Sequence, residues 1–199
     1  VNNLKEAESA KVLVIANLKK FIEPKGALEA LDSYVKNGGK VLLLNPEEAL
    51  LTWKGGKISA PEKFRGKTFI ASSGPVTLYR VQDGEIVNMK VPESPVFKGI
   101  KPMDMVWFAD EGSRKVPLAS TAVYQFDRSN KNYTELAENL LIHGYLQKPA
   151  DVLKYKGATL LEIRDGKGEV LVSSMRLTAA KSDPIAQKLL TNLVSVLLK

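Results

Sequence analysis

The sequence predicts an α/β fold, a three-layer sandwich around a mainly parallel sheet with β-hairpin insertions, and three observations predict it. Residues 11–16 (KVLVIA) form a continuous run rich in β-branched residues, suited to a strand covered on both faces. An amphipathic stretch follows, with Ala27, Leu28, Leu31, Tyr34 and Val35 at helical spacing. Residues 41–44 (VLLL) then form a second apolar run. A strand, a helix and a strand in that order make a βαβ unit, whose crossover is right-handed and whose strands are parallel.

The elements follow in order. Pro24 marks the start of the first helix, and Asn37-Gly38-Gly39 ends it, because glycine takes the left-handed conformation that closes a helix. After residue 44 comes a sharp corner. Asn45 can cap a helix, Pro46 suits its first position, and Glu47 with Glu48 complement the positive end of its dipole. This short helix is expected to end by Trp53, since Lys54-Gly55-Gly56-Lys57 is turn chemistry. Residues 67–71 read as a strand. Residues 76–81 and 86–91 flank Gln82-Asp83-Gly84-Glu85 and read as a hairpin. Residues 103–108 and 119–126 read as further strands, and residues 136–146 suit either a strand or a helix, with strand preferred. Residues 158–163 and 169–174 flank Arg164-Asp165-Gly166-Lys167-Gly168, a strong hairpin signal. Ser182-Asp183-Pro184 opens the last helix, with Ile185, Leu189, Leu190, Leu193, Val196 and Leu197 on one apolar stripe.

Composition narrows the function. At 199 residues the chain suits a single domain, and one of that length buries roughly 70% of its unfolded surface without disulfide or metal. It opens on Val1 rather than Met, which reads as a segment of a larger protein. There is no cysteine, so thiol catalysis and sulfur-ligated metal are excluded. The single histidine, His143, leaves one imidazole base. No apolar run approaches the ~20 residues that span a bilayer, so no membrane segment is expected. The net charge of +7 comes from scattered lysines without interleaved aromatics, and no nucleic-acid face is expected. Recognition of an anionic polymer by that basic surface is the weakest of three functional readings.

Cofactor motifs fail on inspection. Gly66-Lys67-Thr68 ends like a phosphate-binding loop, but Pro61 stands where the leading glycine belongs and a strand, not a helix, is expected to follow. Gly166-Lys167-Gly168 lacks a third glycine and sits in a hairpin. No cofactor and no metal are expected.

Two segments carry a resemblance. Residues 38–51 resemble the strand and elbow on which class I glutamine amidotransferases hold their nucleophilic cysteine, and residues 166–177 resemble the late strand ending in His-x-Glu. Asn45 or Pro46 stands in the nucleophile's place, and residues 174–177 in that of the histidine and its acid. Acyl transfer needs a nucleophile, a base within hydrogen-bond reach and an orienting acid. None of the three is present, so no catalytic residue is expected. Residues 27–41, 94–100 and 183–193, with GKGEVLVSS at 166–174, extend the likeness over nearly the whole chain. Together they resemble the amidotransferase-like domain, flavodoxin-like in fold, appended to bacterial glycoside hydrolases of the family 2 and β-galactosidase type. The resemblance implies a non-catalytic accessory domain serving packing, oligomerisation or carbohydrate contact, with other domains of the same polypeptide as partners. It also implies a periplasmic or secreted parent, and a sheet edge left to be supplied from elsewhere.

Candidate ligand contacts remain. Asp110 and Glu111 follow Trp107 and Phe108, at the kind of strand end where α/β folds bind ligands. An aromatic beside acids can stack on a sugar and bond its hydroxyls. Trp53 is a second such platform or a core cap, and His143 stands beside Gly144-Tyr145. The rival reading is a small independent hydrolase using Asp110, Glu111 or Glu138 with His143 as acid and base.

Overall fold

The structure is a computed structural model and describes residues 10–21, 23–44, 52–54, 57–59, 77–80, 86–105, 107–108, 116–117, 122–140 and 157–199. Strand β1 (Val12–Ile15) leads through a single helical turn, α1 (Leu18–Phe21), to helix α2 (Ala27–Lys36) and strand β2 (Lys40–Leu44). Two short strands follow, β3 (Thr52–Lys54) and β4 (Lys57–Ser59), then β5 (Thr77–Arg80) and β6 (Ile86–Met89). Strands β7 (Trp107–Phe108), β8 (Val116–Pro117), β9 (Ala122–Gln125), β10 (Tyr133–Leu140), β11 (Gly157–Asp165) and β12 (Gly168–Ser173) precede the last helix, α3 (Pro184–Leu197).

The main sheet has the order β1-β2-β12-β11-β10-β6, with β9 joining β11 and β5 joining β9. β1 pairs with β2 and β2 with β12 in parallel, whereas β12–β11, β11–β10, β10–β6, β11–β9 and β9–β5 are all antiparallel. The sheet is therefore mixed, and the expectation of a mainly parallel one is corrected. The reason is local. Among the described residues, an α-helix joins parallel strands only in the first crossover, while the tight turn at Gly166 and Lys167 forces β12 back along β11.

Three layers are present. On one face Leu13, Ile15, Val41, Leu43, Val170 and Val172 pack with Leu31 and Val35 of α2. On the other Leu42, Leu160 and Leu171 pack with Leu189, Leu193 and Leu197 of α3. The alternation along β2 sorts Val41 and Leu43 to one helix and Leu42 to the other, as the two-residue period of a strand requires. Each such fully buried leucine contributes about 1.5–3 kcal/mol over an exposed one.

The helix ends follow the sequence closely. Gly38 takes φ 105° just past α2, and the amides of Asn37 and Gly38 bond the carbonyls of Ser33 and Val35. The helix begins at Ala27, after Gly26 in the left-handed region, rather than at Pro24. Asp183 caps α3, its Oδ1 accepting from the amides of Ile185 (2.9 Å) and Ala186 (2.8 Å). Gly168 lies directly beneath the last turn of α2, where a Cβ would run into the carbonyl oxygen of Val35. The amides of Lys167 and Glu169 donate to Lys36 and Gly39 carbonyls at 3.2 Å each, so hairpin and helix end share backbone bonds.

Other expectations change. Trp53 lies in a strand paired with β4, not at the end of a helix. Residues 102–105 form a 3-10 turn, leaving only Trp107 and Phe108 in strand form. β5 and β6 are strands but do not pair with each other: β5 pairs with β9 and β6 with β10. β1 was expected to be covered on both faces, yet Leu13 and Ile15 are buried while Val14 is 45% exposed. Among the described strands it lies at the edge of the sheet, and α3 packs over β2. The expected strand at 67–71 lies outside the described residues.

Candidate functional site

The carboxyl ends of β1, β2 and β12 lie side by side, where open α/β sheets bind ligands. Leu44, the last residue of β2, is the register partner of Ser173, the last residue of β12. The two segments singled out by sequence, the strand before the Asn45-Pro46 corner and the strand before residues 174–177, thus run together in space. Asn45 and Pro46 themselves lie outside the described residues, as do Asp110, Glu111 and His143.

Polar groups gather at this edge. Of the six buried polar or charged residues among the described ones, Glu138, Thr159, Ser173 and Ser174 stand here, each at most 2% exposed. Register explains it: Ser173 pairs with Leu160, and beyond it the Ser174 amide donates to the Thr159 carbonyl at 2.9 Å. One step further Tyr124, Ala158, Glu138 and Asn88 form a single cross-strand row through β9, β11, β10 and β6. Register shifts on both sides of Ala137 bring Glu138 opposite Ala158, a small residue, and so into this row.

The serine hydroxyls are committed to backbone. Ser173 Oγ accepts from the Met175 amide at 3.1 Å, and Ser174 Oγ donates to the Thr159 carbonyl at 3.5 Å. Among the described residues, the hydrogen bonds of both hydroxyls go to backbone and not to a lysine or carboxylate. Glu138 is held differently. Asn88 Nδ2 donates to its Oε1 at 3.0 Å and Lys90 Nζ donates to the same oxygen at 3.3 Å. The Lys90 side chain is 37% exposed and the Glu138 side chain 3%. This carboxylate ties β10 to β6 and presents almost no surface to a substrate.

Trp53 and Trp107 fall in two separate two-stranded sheets, Trp53 opposite Ile58 and Trp107 opposite Pro117. The described strands therefore do not join the two aromatics in one sheet. Sequence reasoning missed Asn88, Lys90 and Thr159 at the polar edge. No sequence signal could have found them, because only cross-strand register places them beside Glu138 and Ser174. Among the described residues no three His, Asp or Glu side chains converge as metal ligands, and no helix is long and apolar enough to cross a membrane.

A cleft of about 860 Å³ lies at the opposite, amino-terminal edge, lined by Lys11, Tyr34, Lys40 and Lys199 among others. Tyr34 donates its hydroxyl to the Ala10 carbonyl at 3.0 Å, and burial raises its pKa above the usual phenol value. The lysines stand where α2 and α3 both end, so they complement the negative ends of two helix dipoles.

No protein-family model and no curated protein matches the chain in sequence. In structure, a ThuA-like protein from Bacteroides uniformis is similar with a TM-score of 0.59 at 16% identity, over 98% of this chain and 72% of that one. A cytoplasmic protein from Salmonella typhimurium is similar with a TM-score of 0.56 at 16% identity, over 98% and 75%. A β-galactosidase from Bacillus circulans overlaps more loosely, with a TM-score of 0.43 at 14% identity, over 93% of this chain and 22% of that one. The first two likenesses establish the fold alone: an open α/β sheet of the flavodoxin and glutamine amidotransferase kind, shared with ThuA-like proteins.

Proposed function

We propose that this chain is a non-catalytic accessory domain of a multidomain glycoside hydrolase, serving packing, oligomerisation or carbohydrate contact. One observation carries the non-catalytic part. Just after β12, where the resemblance puts the amidotransferase base and acid at residues 174–177, Ser174 is buried and bound to backbone, as is Ser173 before it. The adjoining β2 leads into Asn45 and Pro46, an amide and an imino ring with no nucleophilic atom. The glycoside hydrolase part rests on the sequence resemblance over residues 27–41, 94–100, 166–174 and 183–193.

Isothermal titration of the chain against a panel of galactosides and plant glycans tests carbohydrate contact. Heat from one of them, reduced in Trp53→Ala or Trp107→Ala, supports it, whereas silence from all of them leaves packing and oligomerisation as the role. Incubation with chromogenic glycosides and esters tests the absence of chemistry. Turnover that vanishes in Asp110→Asn, Glu111→Gln or His143→Ala would replace the accessory reading with that of an independent hydrolase.

A further inference from the structure

We draw no further inference here: the strongest candidate, the exposed flank of β1 around Val14, is an apolar face for which nothing among the described residues shows what covers it.

Discussion

Leu44 and Ser173 are the last register pair between β2 and β12. This parallel contact brings the carboxyl ends of β2 and β12 to one edge of the sheet. Here the partners on the β12 side are a serine whose oxygen serves the Met175 amide and a serine turned to the Thr159 carbonyl. These two bonds lie within the protein, and their first measurable consequence is for stability.

Ser173→Ala removes the acceptor of the Met175 amide while changing little volume. Met175 is fully buried, so its N–H finds no water in exchange. A loss of about 1–3 kcal/mol is expected, read as a lower urea midpoint with an unchanged m-value. An unchanged midpoint would show that the bond contributes nothing.

Gly168→Ala is expected to be severe. The added methyl meets the Val35 and Gly39 carbonyls, which are backbone and cannot turn aside. About 3 kcal/mol or more should be lost, because helix α2 and the β11–β12 hairpin must move apart. Gly26→Ala is the control, with φ 86° but open space around the new carbon. It carries only the left-handed backbone cost of about 1–2 kcal/mol. Thermal melts of the two variants should differ in that order, and equal losses would refute the close approach.

Asp183→Ala strips the two amides at the start of α3 of their acceptor. A cost of about 1 kcal/mol is expected, with Asp183→Asn retaining most of the stability, since an amide oxygen also caps. Because Leu189, Leu193 and Leu197 of α3 pack with Leu42, Leu160 and Leu171 of the sheet, circular dichroism should show helix and global structure melting together.

Glu169 gives a pH dependence whose sign can be worked out. Burial, then repulsion from Glu162, raises its pKa above the usual 4.5, with Lys40 and Arg164 opposing. A raised pKa means the folded state prefers the protonated acid. That preference is fully present below the unfolded value and is lost as pH rises through the folded one. At neutral pH the ionised carboxylate therefore weighs against folding, and Glu169→Gln should be more stable than the parent, by less than about 1 kcal/mol for a half-exposed group. The advantage should vanish below about pH 4. A variant less stable at pH 7 would show that attraction to Lys40 and Arg164 outweighs burial.

Much of the fold was legible because it is written in short-range chemistry. The Gly38 stop, the Asp183-Pro184 start, the apolar stripe of α3 and the turn at Gly166 each depend on a few adjacent residues, and each stands where the sequence places it. Strand partners were not legible. The segments around Gln82-Asp83-Gly84-Glu85 look like a hairpin, yet β5 and β6 turn to β9 and β10, because pairing is decided by which edges the packed layers leave open. The same holds for Trp53, which the sequence puts at a helix end and which lies in a strand opposite Ile58.

What the sequence determined by itself is the set of chemical groups present: no thiol, one imidazole, and an amide and an imino ring at positions 45 and 46. Only the tertiary structure decided that β2 and β12 end together and that Glu138 meets Asn88 and Lys90 across strands. The reason is physical. Which atoms a chain carries is local information, whereas which of them become neighbours depends on long-range register and on the burial that fixes it.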